Sequence, residues 1–208
     1  MKSLFWALIL LFIEAALVLC FVSPDHANEQ IEKESTYIAR DLGHETAEAV
    51  SNDAHEWYDR WIRANRVEEA VHDFFIPTKE QKARSRGLEN LGDPVFPIVE
   101  SRIEAFFDML FWMLRRLSLF LMWLPMMAPI LILSLADGWL KRRIKQQTFE
   151  YASPFWHKNA FHAAVVASTI LITLFFVPYA VDPSFAPCLL AITGILCGLA
   201  MSNIQQRI

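Results

Sequence analysis

A basic run, Lys141-Arg142-Arg143-Ile144-Lys145, stands directly behind an apolar stretch that ends near Leu135. Lys and Arg next to a spanning helix are held on the cytoplasmic side of a membrane, so this run pins one end of one helix and orders the rest of the chain around it. Four stretches supply the ~20 mostly apolar residues that a spanning helix needs: 4–22, 117–135, 160–180 and 185–204. The second can begin as early as Ala105, and the fourth closes on Ser202-Asn203. Lys2 ahead of an apolar core is also how a signal peptide starts. No small-x-small cleavage site precedes Val22, however, and Leu19 is too large for a lipoprotein site at Cys20, so 4–22 reads as a retained anchor.

Orientation follows the asymmetry of Lys and Arg. The segment 137–158 holds Lys141, Arg142, Arg143, Lys145 and Lys158 against Asp137 and Glu150, and is expected in the cytoplasm. The turn 179–186 carries Asp182 alone and belongs outside. Lys2 and Arg207 then place both termini inside. The expected fold is all-α and polytopic, with four transmembrane helices. Its parts are an N-terminal anchor (1–23), an external, periplasmic helical segment (24–104), and a three-helix transmembrane region (105–208) with a basic cytoplasmic loop at 137–158. The expected location is a bacterial inner membrane, multi-pass.

The charge divides along the same line. Residues 25–104 hold 18 acidic and 10 basic residues, while the remainder holds 5 acidic and 9 basic. The net of −4 therefore averages two unlike parts. No basic tail or domain points to direct nucleic acid binding. Cys20, Cys188 and Cys197 lie in or beside apolar spans, with neither disulfide nor zinc spacing.

Between 27 and 75, Ile38, Leu42, Val50, Trp57, Trp61, Ile62, Val67, Val71, Phe74 and Phe75 recur at steps of three and four, which predicts helix. Glu56 and Arg60 add an i,i+4 pair. Pro77 ends the run, 77–97 reads as loop, and helix resumes near Ile98. Trp57 and Trp61 are candidates either for an interface anchor or for the core of a helical hairpin.

Charges inside a membrane are costly and need a partner or a purpose. Glu14 sits mid-span, and Arg115 and Arg116 stand at the outer edge of the second span. Either an ion pair with Glu14 or outward snorkelling would satisfy an arginine there. Pro125 and Pro129 are expected to kink the second span. Gly194 and Gly198 are four apart, as are Ala164 and Ser168 in the third span. That spacing lets helices approach closely, and the short turn between the third and fourth spans makes them the expected pair.

The search for chemistry yields little. His44-Glu45-x-x-Glu48 and His55-Glu56-x-x-Asp59 lack the second histidine of a zinc-protease helix, and each face offers two ligands where zinc takes three or four. No phosphate loop or nucleophile elbow is present. The expectation is a protein that is not an enzyme, with no catalytic residue, cofactor or metal.

The stretch Ala136-Asp137-Gly138-Trp139-Leu140-Lys141-Arg142-Arg143-Ile144, with Phe149-Glu150-Tyr151-Ala152-Ser153-Pro154-Phe155-Trp156-His157-Lys158-Asn159-Ala160 after it, resembles a family of inner-membrane proteins encoded by integrating conjugative elements and conjugative plasmids. The likeness covers the C-terminal half well, from Arg86-Gly87 onward, and the N-terminal half by layout. Gln146-Gln147-Thr148-Phe149 departs from the more Gly- and Arg-rich form of that loop. The resemblance implies an accessory or scaffold role in a conjugative type IV secretion apparatus, with other membrane proteins of that machine as partners, the coupling ATPase among them. Candidate partner-binding residues are Trp139, Arg142, Arg143, Phe149, Tyr151 and Trp156 inside, and Trp57 and Trp61 outside. The alternatives are a small transporter or channel lined by Glu14, Arg115 and Arg116, an exclusion protein acting in the recipient cell, and a membrane enzyme using the acidic segment.

Overall fold

The computed structural model describes residues 24–76, 96–148 and 153–204, together with Ile9. All regular structure among them is helical: α1 Pro24–Leu42, α2 His44–Tyr58, a π-helical turn Asp59–Arg63, α3 Val67–Phe75, α4 Phe96–Thr148, α5 Pro154–Thr173 and α6 Phe185–Ser202. The predicted first span, with Glu14 and all but Ile9, falls outside the described residues, as do 77–95 of the predicted loop and the positions Phe149 and Tyr151.

The chain divides into two units. A polar unit holds α1 to α3, the first part of α4 up to Ser118, and the short segment 176–180. An apolar unit holds α4 from Leu119, α5 to Phe175, and 181 onward with α6. One helix, α4, contributes to both. At 1.5 Å per residue its 53 residues measure about 80 Å, while a bilayer core is about 30 Å thick, so most of α4 lies outside any hydrocarbon layer.

In the polar unit, Gly43 separates α1 from α2 because its φ of 93° lies where a side chain is strained. After the π-turn the chain reverses at Arg66, with φ 52°, and Asn65 Nδ2 donates to the Trp61 carbonyl at 2.9 Å. Two apolar clusters form against α4. Ala27 meets Met109 and Trp112, and Ala54 and Tyr58 meet Phe107 and Leu114.

The apolar unit contains the hydrophobic stretch of α4, together with α5 and α6. Among the described residues α4 and α6 are long and apolar enough to cross a membrane. Only 11% and 28% of their most apolar windows are buried, the reverse of a soluble core helix. Ile132, Leu133, Met126 and Ile195 stand exposed along them.

Two details correct the sequence reading. The basic run is not in a loop, because α4 stays helical to Thr148, with Pro125 and Pro129 inside it, and Lys145 lies in its last turn. Lys, Arg and Gln are good helix formers, and cations suit a helix C-terminus. The apolar stretch 160–180 is not one helix, since α5 ends at Thr173 and 174–180 turn away. Pro178 denies the helix an N–H and disfavours helix at Val177 before it.

Candidate functional site

The most tightly built constellation lies in the polar unit. On α1 the buried positions are Ala27, Gln30, Glu34 and Ile38, spaced three or four apart on one face. Two of these are polar, and a buried polar group needs a partner. Glu34 finds it on α4: Arg116 Nη2 donates to Glu34 Oε2 at 2.7 Å and Nε lies 3.1 Å from Oε1. The two side chains are 5% and 7% exposed, so this is a buried ion pair. Trp112 Nε1 donates to the same carboxylate at 2.9 Å, and the Arg116 guanidinium sits 4.4 Å over the Trp112 ring.

Arg116 also serves the chain between α5 and α6. Its Nη1 donates to the Val177 carbonyl at 2.7 Å and its Nη2 to the Tyr179 carbonyl at 2.6 Å. Gln30 Oε1 accepts from the Ala180 N–H at 3.1 Å, and His26 Nε2 lies 3.1 Å from the Pro178 oxygen. Four consecutive residues outside any helix thus have a backbone polar group held by α1 or α4. Removing one partner of a buried pair strands the other charge, at a cost of about 3–5 kcal/mol. Of the two intramembrane arginines read from sequence, Arg116 is this hub. Arg115 is also buried but points to a different cleft. The missing element of the sequence reading is Glu34, which was detectable as a carboxylate on the apolar stripe of α1.

A second feature of the polar unit is a cleft of about 790 Å³ between α2, α3 and α4. Tyr58, Phe107 and Phe111 supply an aromatic wall, and Glu68, Glu104 and Asp108 an acidic one. The Tyr58 hydroxyl donates to Glu68 Oε1. Burial, together with that bond, pushes the hydroxyl well above the usual tyrosine range, so it stays a donor. Trp57 and Trp61 stack with ring centres 6.0 Å apart; Trp57 leans on the Ala54–Phe107 cluster and Trp61 is exposed. His44 and His55 gather no metal set, and no group of three metal-ligating side chains converges among the described residues.

Of the predicted partner-binding residues, Trp139, Arg142, Arg143 and Trp156 sit in the apolar unit. Trp139 and Trp156 are each about half exposed, and Arg143 lies 5.1 Å over the Trp139 ring. Arg142 is half-buried, and its Nε finds no hydrogen-bond partner among the described residues. Nearby, Lys145 Nζ donates to Asn203 Oδ1 at 3.0 Å, and His157 Nδ1 meets the Ala200 carbonyl at 2.8 Å. These bonds close the C-terminal end of α6, whose last carbonyls have no partner within the helix. The basic and aromatic side chains at the end of α4 are therefore carried on a fixed platform.

The glycine motif is engaged, but not with the partner expected from sequence. Although α5 packs on α6 and buries Ala164, with Ser168 half-buried, Gly194 and Gly198 face α4. A Cβ at Gly194 would lie 2.6 Å from Leu131 Cδ2, and one at Gly198 would enter the Ser134 carbonyl. Gly138 faces Gly198 in the same manner, so three glycines bring two backbones together.

A family model described as DtrJ-like, an IncC plasmid conjugative DNA transfer protein, matches residues 18–207, and the chain belongs to that family. No curated protein and no solved structure matches it.

Proposed function

From membership of this family of conjugative DNA transfer proteins, we propose that the chain is a membrane scaffold of the transfer apparatus, a type IV secretion system, and that its cytoplasmic face docks the coupling ATPase. The match over residues 18–207 is the observation that carries the reading. The site supports it by its chemistry. The exposed Trp139, Arg143 and Trp156 are of the types that anchor protein interfaces. The role is binding, without catalysis or cofactor, and the bilayer is the second partner.

The proposed topology has four spans with both termini inside and the polar unit in the periplasm. Cysteine-accessibility labelling in whole cells tests it. A cysteine at Glu69 should react with an impermeant maleimide, and one at Lys141 should not. The function is tested by deleting the gene from its element and counting transconjugants. DNA transfer should be lost while growth is unchanged, and normal transfer by the deletion strain would exclude the role. Immobilising Arg116 between Glu34 and two carbonyls favours the scaffold over a transporter in which that arginine lines a path.

A further inference from the structure

A second cleft in the polar unit, of about 540 Å³, opens between α1 and α2 and is lined by Ser35, Arg40, His44, Glu48, Ser51 and Arg115 among others. Arg115 is the one buried residue of the lining, at 7% exposure. Its guanidinium has a single long hydrogen bond, 3.4 Å from Nη1 to the Ile31 carbonyl, and no ion pair among the described residues. The adjacent carboxylate, Glu34, is already taken by Arg116 and Trp112. Two buried arginines thus share one buried acid, and a cation is left over facing a cleft.

A buried guanidinium without a carboxylate is costly unless something else neutralises it. The rim tells what that can be. The His44 ring and the Ser51 hydroxyl are donors there. Glu48 is the one acid of the lining, and it makes no ion pair with Arg115. Planar guanidinium donors match the oxygens of a phosphate two at a time. The volume falls in the range of small-molecule sites and leaves room for an ester group beside the phosphate.

We infer that this cleft binds a phosphate group, with Arg115 as its anchoring cation and His44 and Ser51 as supporting donors. The same chemistry is offered by a phospholipid headgroup and by free phosphate. Arg115 stands two residues before the apolar run that begins at Leu117, which puts it at the depth where headgroup phosphates lie in a spanning protein.

The test uses the full chain, purified in a maltoside detergent and washed free of lipid. Its melting temperature is followed against inorganic phosphate, against phosphatidylglycerol, and against a phosphate-free glycolipid with the same acyl chains. Phosphatidylglycerol should raise the melting temperature and the glycolipid should not. Arg115→Gln should weaken the response about tenfold or more, the loss of charged hydrogen bonds. A response to phosphatidylglycerol alone assigns the site to a lipid headgroup, and a response to inorganic phosphate as well assigns it to free phosphate. No response to either, or an equal response in Arg115→Gln, would overturn the inference. If Arg115→Gln cannot be purified, Ser51→Leu fills the cleft without touching the buried charge, and it must show the same loss.

Discussion

Where α1 meets the first part of α4, the contacts are made by large or charged side chains: Glu34 to Arg116, Trp112 over the same guanidinium, and Tyr58 against Phe107. Around α6 they are made at Gly194, Gly198 and Gly138, where one backbone lies on another. The difference follows from the surroundings each unit was built for. In water, burying an aromatic ring is favourable in itself, and polar atoms hidden with it must be paired. In lipid, apolar side chains gain nothing by leaving the solvent for each other, so helices associate by close fit and by contacts between small residues.

That contrast can be broken most forcefully at Glu34. Glu34→Ala leaves Arg116 buried without its acid and should cost about 3–5 kcal/mol, read by thermal unfolding of the full chain in detergent. Replacing both partners, Glu34→Leu with Arg116→Met, should recover much of that loss, because the penalty is the stranded charge. If the double variant is as unstable as the single, the carbonyl contacts to Val177 and Tyr179 are what matter.

A smaller effect is expected in the apolar unit. Gly198→Val forces a side chain into the Ser134 carbonyl and should cost about 1–3 kcal/mol by overpacking. Wild-type stability in that variant would mean the helices do not depend on backbone contact. Tyr58→Phe removes the bond to Glu68 and should cost about 1 kcal/mol. Because the folded state holds the Tyr58 proton more tightly than the unfolded chain does, this contribution is complete below about pH 10, the ordinary tyrosine value. It should fade as pH rises above that, and the Phe variant should lack this alkaline slope. Smallest is Trp139→Ala, at an exposed position, which should leave stability within about 0.5 kcal/mol. A transfer defect is nonetheless expected in a mating assay, which separates docking from folding.

Much of the architecture was legible from periodicity. The helical segment between 27 and 75, the restart of helix near Ile98 (Phe96 in the structure) and the Glu56–Arg60 pair at 2.6 Å all follow from local spacing. What spacing could not supply was partnership at long range. Glu34 stands on the apolar stripe of α1, but its pairing with Arg116 appears only when α1 is laid on α4. The glycines were matched to the neighbouring helix in sequence, while their close contact is with a helix more than fifty residues earlier. A basic run behind an apolar stretch reads as a loop at a membrane boundary, yet a helix can leave a bilayer without ending, as α4 continues to Thr148. Of the candidate site, Trp139, Arg143 and Trp156 are exposed; Arg115 stood out in the sequence as a costly charge, whereas the cleft beside it needs α1 and α2 to be laid together.

The central claim, a membrane scaffold that docks the coupling ATPase, is tested most directly by photo-crosslinking in donor cells that carry the whole element. A photoreactive amino acid is placed at Trp139 or Phe149, on the proposed inner side, and at Trp57, on the proposed outer side. The account predicts an adduct between the inner positions and the coupling ATPase. Adducts to lipid or to a second copy alone, at all three positions, would contradict it.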